Sequence, residues 1–311
     1  MVKKFVYGTP FETEAVVKEI PSSEGNPDYG TFSTENGFSF TTKLADEDMV
    51  FGLGEANRGI NKRGFLYISD CADDPNHVES KTSLYAAHNF IIISGKTHVG
   101  FFFDYPGTLR FDIGYTTSDT MTVSCENADL YVYMITGDSD LDIVKQFRGI
   151  IGRSYIAPKF AFGYGQSRWG YKTEDDFRTV VKKYRENHVP LDMVYMDIDY
   201  MQDYKDFTVN EERFPDFEGF VQDMKKEKIH LVPIIDAGVK VEKDYDIYEE
   251  GCEKGYFCRR EDGSYFEATV WPGWTHFPDV LNADARAWFG QKYERLISKG
   301  IDGFWNDMNE P

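Results

Sequence analysis

From residue 160 onward the sequence repeats one pattern: a short strand-forming run, a loop, then an amphipathic helical stretch. Residues 160–166, 191–197, 231–236 and 304–307 read as strands. Residues 173–188, 216–226 and 284–299 read as helices. Thr173 opens the first helix with Asp176 three residues on, like a capping box, and its buried stripe is Phe177, Val180, Val181 and Tyr184. Phe217, Phe220, Val221 and Met224 form the stripe of the second, and Gly300 stops the third. Strands alternating with helices pair in parallel through right-handed crossovers. Two α/β architectures satisfy that rule. A doubly wound sheet has short strand-to-helix loops, whereas the loops at 198–215 and 237–280 are long and aromatic. Elaborate loops at strand carboxyl ends fit a (β/α)8 barrel. Four strands cannot close a barrel, and an open parallel sheet exposes its last edge. The expectation is the first half of a TIM barrel, completed by the remaining C-terminal part of the same protein.

Residues 1–137 follow a different grammar. Short strand-forming runs at 30–32, 38–42, 66–69, 90–94, 99–103, 121–123 and 130–135 alternate with turns. Asn36-Gly37 is a hairpin signal. This spacing predicts an antiparallel β-sandwich. Residues 139–151 carry helical periodicity through Leu141, Val144, Phe147, Ile150 and Ile151, and Pro158 closes the region. The expected organisation is an N-terminal β-sandwich at 1–137, a helical linker at 138–158 and the half barrel at 159–311.

The net charge of −19 repels phosphate backbones and anionic membranes, so neither nucleic acid nor membrane is an expected partner. A neutral polar substrate fits better. No apolar run reaches transmembrane length, and residues 1–10 lack the apolar core of a signal peptide. Cys71, Cys125, Cys252 and Cys258 are too scattered for a disulfide scaffold or a zinc site, which suggests a reducing, cytoplasmic setting. The six histidines are dispersed, so no metal is expected. Gly52-Leu53-Gly54-Glu55 fails the dinucleotide fingerprint, and no phosphate loop or serine-hydrolase elbow occurs, so no cofactor is expected.

In a barrel the carboxyl ends of the strands carry the chemistry. Here they offer Gln166 to Trp169, Asp197 to Tyr200, Asp236, and Asp307 to Glu310. A lone Asp at a strand end is more often a helix cap or a loop ion pair. Three acidic strand ends at one mouth argue for function. Trp271, Trp274 and Trp305 lie on or beside these loops. Carboxylates accept hydrogen bonds from hydroxyls, and aromatic rings cover an apolar C–H face, so the combination suits a sugar. Arg168 reads as a structural counter-ion.

These residues resemble glycoside hydrolase family 31, the α-glucosidase family. The run Trp305-Asn306-Asp307-Met308-Asn309-Glu310-Pro311 is similar to its nucleophile signature, and Asp197-Ile198-Asp199-Tyr200-Met201 to its second-strand substrate motif. Trp271-Pro272-Gly273 with Phe277-Pro278-Asp279 resembles its third loop, and Phe51-Gly52-Leu53-Gly54-Glu55 its N-terminal motif. The resemblance implies a retaining, exo-acting α-glucosidase, with Asp307 as nucleophile and Asp197 as acceptor for the terminal sugar hydroxyls. It also implies that Ile198, Ile234, Trp305 and Met308 line an apolar pocket and that Trp271 packs on the sugar ring. Trp169 stands where the family often has Tyr and would shape the rim. An Asp from an N-terminal loop would enter the pocket: Asp73 is chosen, with Asp70 and Asp74 as alternatives. The general acid/base matches no residue here and would lie beyond Pro311. Glu310 would orient Asp307. The partner is an oligosaccharide of isomalto or malto type. A non-catalytic sugar-binding protein, an α-xylosidase and a transglucosidase are the other readings. The unpaired sheet edge leaves homo-oligomer formation open.

Overall fold

The computed structural model describes residues 1–71 and 74–308. The chain divides into two compact units, Met1–Tyr155 and Ile156–Pro311. Among its described residues the first unit holds ten strands: β1 (Val2–Tyr7), β2 (Thr31–Ser33), β3 (Phe38–Lys43), β4 (Met49–Gly52), β5 (Phe65–Ser69), β6 (Phe90–Ser94), β7 (His98–Asp104), β8 (Leu109–Ile113), β9 (Thr120–Cys125) and β10 (Leu130–Gly137). They form two five-stranded antiparallel sheets, in the orders β1-β10-β7-β6-β4 and β2-β3-β9-β8-β5. β1, β4 and β8 add to the runs expected from sequence.

Alternation of side chains along each strand builds the core between the sheets. Leu130, Val132 and Met134 of β10 join Phe101 and Phe103 of β7, Phe38 and Phe40 of β3, and Phe111 of β8 in one buried cluster. The other face of β10 is buried too: Tyr131, Tyr133 and Ile135 belong to a second cluster under helix α1 (Asp140–Ile151). That explains why β10 is apolar at nearly every position. Ser139 caps α1 by accepting from the Asp142 amide. The helix buries Ile143 and Ile150, and Phe147 stacks on Phe90 with ring centroids 3.9 Å apart. Leu141, expected in the stripe, is exposed, because the docked face runs through Ile143, Phe147 and Ile150 at helical spacing.

The second unit is a partial TIM barrel. Its central sheet comprises β11 (Gly165–Gln166), β12 (Met193–Met196), β13 (His230–Asp236) and, after the intervening elements, a last strand, Trp305–Asp307. These four strands pair in parallel in that order. The strand expected at 160–166 is much shorter: after Pro158 the chain makes a 3-10 turn at Lys159–Phe162, with Phe160 stacked on His230 at 3.6 Å. Helix α2 (Glu174–Glu186) opens on the expected capping box of Thr173 and Asp176. Helix α3 (Phe217–Lys226) buries its whole expected stripe, Phe217, Phe220, Val221 and Met224.

The long loop after β13 contains structure of its own: β14 (Val239–Lys240), helix α4 (Asp246–Lys254) and the hairpin β15 (Glu267–Val270) with β16 (Gly273–His276). Gly255, at φ +68°, ends α4 in the left-handed region. The expected helix over 284–299 divides into α5 (Ala283–Lys292) and α6 (Glu294–Ile297). The closing strand Trp305–Asp307 is β17.

Gly100 on β7 sets how closely α1 docks. A Cβ there would lie 2.5 Å from Cγ2 of Ile143, a fully buried β-branched side chain with little freedom to move. Gly100→Ala should lower the stability of the first unit by roughly 1–3 kcal/mol. Leu141→Ala on the exposed face should change it by less than about 0.5 kcal/mol. Urea unfolding of the two variants checks both values.

Candidate active site at the strand carboxyl ends

Parallel register decides which side chains share a face. Met193 pairs with His230, Ile234 with Trp305, and Asp236 with Asp307. Partners in register point the same way, and so do residues two apart along a strand. Tyr195 and Asp197 on the β12 side, Ile234 and Asp236 on β13, and Trp305 and Asp307 on β17 therefore lie on one face. The contact of Tyr195 with Trp305, edge to face at 6.4 Å, follows from this register. The opposite face, with Val194, Met196, Leu231 and Ile235, is buried in the cluster that also holds Phe177, Phe220 and Met224 of the helices.

Three carboxylates thus stand together where the strands end. Asp197 is half-buried, and its Oδ1 accepts from the Ile198 amide at 2.8 Å. Burial raises its pKa above the ordinary carboxylate range, and Asp199 and Asp307 raise it further. Asp236 is buried, and neither carboxyl oxygen has a hydrogen-bond partner among the described residues. Burial first, then the charges of Asp307 and Asp197, push its pKa up to about 7. Asp307 is exposed at the open flank of the sheet, with its Oδ1 accepting from the Met308 amide at 3.0 Å. Met308 adopts φ +50°.

The Asp-Ile-Asp run divides its labour. Asp197 faces the mouth, whereas Asp199 is buried and fixed by Arg213, whose Nη1 donates to its Oδ1 at 3.0 Å and to its backbone carbonyl at 2.7 Å. Ile198 and Ile234 are buried in the hydrophobic cluster, and Tyr200 donates its hydroxyl to the Ile234 carbonyl at 2.8 Å. Trp305 packs against the same cluster, and its Nε1 donates to the Met196 carbonyl at 3.3 Å. Trp169, after β11, and Trp271, at the β15–β16 turn, are both exposed and lie 6.2 Å apart, forming an aromatic edge. Asp73 and Glu310 lie outside the described residues. Asp74 is paired with Lys81, which holds its carboxyl below the usual range. Asp70 lends its backbone carbonyl to the Ser83 hydroxyl.

Two acidic residues join this picture beyond the ones singled out as site residues. Asp236 was legible as a strand end. Its position on the site face follows from register. Asp206 gave no signal, sitting mid-loop between Lys205 and Phe207. It is buried, and its Oδ1 accepts from the Asp236 amide at 3.0 Å. Burial and the nearby Asp236 charge drive its pKa well up.

Comparison with known proteins places this geometry. Residues 154–311 match the glycosyl hydrolases family 31 TIM-barrel domain, and residues 11–112 the galactose mutarotase-like N-terminal domain of the same family. The chain belongs to glycoside hydrolase family 31. Alpha-glucosidase 2 of Bacillus thermoamyloliquefaciens is 37% identical over 274 residues, covering 86% of this chain and 34% of that protein. Alpha-xylosidase 1 of Arabidopsis thaliana is 31% identical over 285 residues, covering 87% of this chain and 30% of that protein. A family 31 dextranase of Flavobacterium johnsoniae, solved with glucose, has the same fold, with a TM-score of 0.80 at 24% identity over 89% of this chain and 34% of that one. This family 31 chain spans between about a third and a half of the length of the first curated relatives it matches. Among its described residues no helix is long and apolar enough to cross a membrane.

Two variants test the site's electrostatics. Arg213→Met leaves the Asp199 carboxylate buried with only Lys172, 3.9 Å away, as a cationic neighbour, and should cost about 3–5 kcal/mol in urea unfolding. Asp236 works the other way. The folded protein binds its proton more tightly than the unfolded chain, so its burial costs more stability as pH rises, until the folded group itself ionises at about 7. Asp236→Asn removes that cost. Relative to the wild type, its stability should rise by up to about 4 kcal/mol between about pH 4 and pH 8. Unfolding curves across that range check the slope.

Proposed function

We propose that this chain contributes the first half of the catalytic barrel of a retaining, exo-acting α-glucosidase. Its substrates are short isomalto- or malto-type oligosaccharides, from which it releases terminal non-reducing α-linked glucose. The observation carrying this reading is the register that sets Asp307 beside Asp236 and Asp197 on one face, with the Trp169–Trp271 edge in the same unit. The α-glucosidase relatives support the substrate class.

In this mechanism Asp307 attacks the anomeric carbon and forms a β-glycosyl ester. Water then opens that ester, and the second inversion returns the α-configured sugar. The general acid/base comes from a part of the protein beyond Pro311, with its carboxyl about 5–5.5 Å from Asp307. It protonates the leaving oxygen in the first step and takes a proton from water in the second. Asp307 meets the first need of a nucleophile: its carboxylate makes no ion pair among the described residues, and it is accessible. Asp197 accepts hydrogen bonds from the hydroxyls of the terminal sugar. Ile198, Ile234, Trp305 and Met308 provide the apolar wall, and Trp271 covers the C–H face of the ring. Trp169 borders the rim.

The test uses the full-length protein. Incubation with a fluorinated α-glucosyl fluoride should leave a covalent label on the peptide that contains Asp307. A label on another residue overturns the mechanism. Asp307→Asn should lower kcat by on the order of 10⁴-fold or more. The α-xylosidase relative favours one competing reading, and comparing hydrolysis of aryl α-glucoside with aryl α-xyloside decides between the two sugars.

A further inference from the structure

The carboxyl ends of β12, β13 and β17 gather more acid than a catalytic pair needs. Asp307 and Asp197 act on Asp236, Asp307 acts on Asp197 and Asp236 acts on Asp206, yet none of the four is in an ion pair among the described residues. Nearby hydroxyl donors are committed elsewhere. Tyr200 donates to the Ile234 carbonyl at 2.8 Å, Tyr245 to the Asp206 carbonyl at 2.9 Å, and Tyr293 to the Asn306 side chain at 2.7 Å. Among the described residues the one amide donor offered to the Asp206 carboxyl comes from the backbone of Asp236 itself. Asp236 is only 1% exposed, and both of its carboxyl oxygens lack hydrogen-bond partners among the described residues. A buried carboxylate without donors or a counter-charge, beside further carboxylates, is much costlier than a buried neutral acid. Asp307, its partner in register, is exposed and receives the Met308 amide. The stable division of one charge over this pair is therefore unequal.

We propose that Asp236 is a positioning residue that keeps its proton at neutral pH, so that the negative charge of the Asp236–Asp307 pair resides on Asp307. Asp307 and Asp197 beside it enforce this, because each adds repulsion against ionisation of Asp236. The role in catalysis rests on the reading of Asp307 as nucleophile. Keeping the neighbour neutral leaves Asp307 ionised without a second like charge at the anomeric carbon, where positive charge develops. The titration behind the role is independent of that reading.

The direct test is a carbon-13 NMR titration of the chain labelled at Asp carboxyl carbons. One resonance should titrate near neutral pH in the wild type and disappear in Asp236→Asn. In Asp307→Asn its midpoint should fall by about one pH unit or more, a tenfold loss of proton affinity, because a like charge has gone. If no Asp carboxyl titrates near neutral pH, or if the resonance survives Asp236→Asn or keeps its midpoint in Asp307→Asn, the proposal is overturned. The acid limb of kcat/KM in the full-length enzyme gives a second readout. With Asp236 already neutral, Asp236→Asn should move that limb by less than about 0.3 pH unit. A fall of about one unit or more would mean that Asp236 had been charged beside Asp307, and would overturn the proposal. A full-length protein without glycosidase activity would overturn the functional reading, while the NMR titration would still decide where the proton sits.

Discussion

Parallel pairing of β12, β13 and β17 is the constraint on which the site depends. In register, side chains of neighbouring parallel strands stand side by side, so an acid at the end of each strand necessarily meets the others. Asp236 and Asp307 are such partners, and Asp197 stands on the same face one strand over. Burial then sorts them. Among the described residues, Asp307 is accessible, Asp197 is half-buried with one amide donor, and Asp236 is enclosed with no donor. Burial and neighbouring carboxylates raise the pKa of both Asp197 and Asp236, burial being the larger cause in each.

The second shaping force is aromatic and aliphatic burial on both sides of a sheet. In the first unit β10 faces the sandwich core with Leu130, Val132 and Met134, and α1 with Tyr131, Tyr133 and Ile135. In the second unit the apolar face of the central sheet receives α2 and α3 through Phe177, Phe220 and Met224. The opposite face keeps its polar residues at the strand ends, where the barrel architecture leaves room for a ligand. The chain thus gathers Asp197, Asp236 and Asp307 on one face of that sheet.

Much of this was legible from residues alone, because the patterns are local. The stripes Phe177–Val181 and Phe217–Met224 follow from helical spacing, the capping box from Thr173 and Asp176, and the parallel sheet from alternating strands and helices. The Asp-Ile-Asp and Trp-Asn-Asp-Met runs lie at the carboxyl ends of β12 and β17, the two strand ends that the alternating pattern marks as acidic. Where the reading fell short, competing local signals were weak. The loop after β13 hides a nine-residue helix and a hairpin of two four-residue strands, each too short to show a period. Leu141 fits a helical stripe as well as Ile143 does, and only the docking of α1 on Gly100 separates them.

The sequence by itself determined the two architectures, the strand order of the half barrel and the acids at its mouth, since hydrophobic period and turn chemistry are properties of neighbours along the chain. Only the tertiary structure decided which acids share a face, that Asp199 is tied to Arg213 while Asp197 is not, and that Asp206 lies under Asp236. Those distinctions depend on register, burial and distance between residues 14 to 110 positions apart, and no local pattern encodes them.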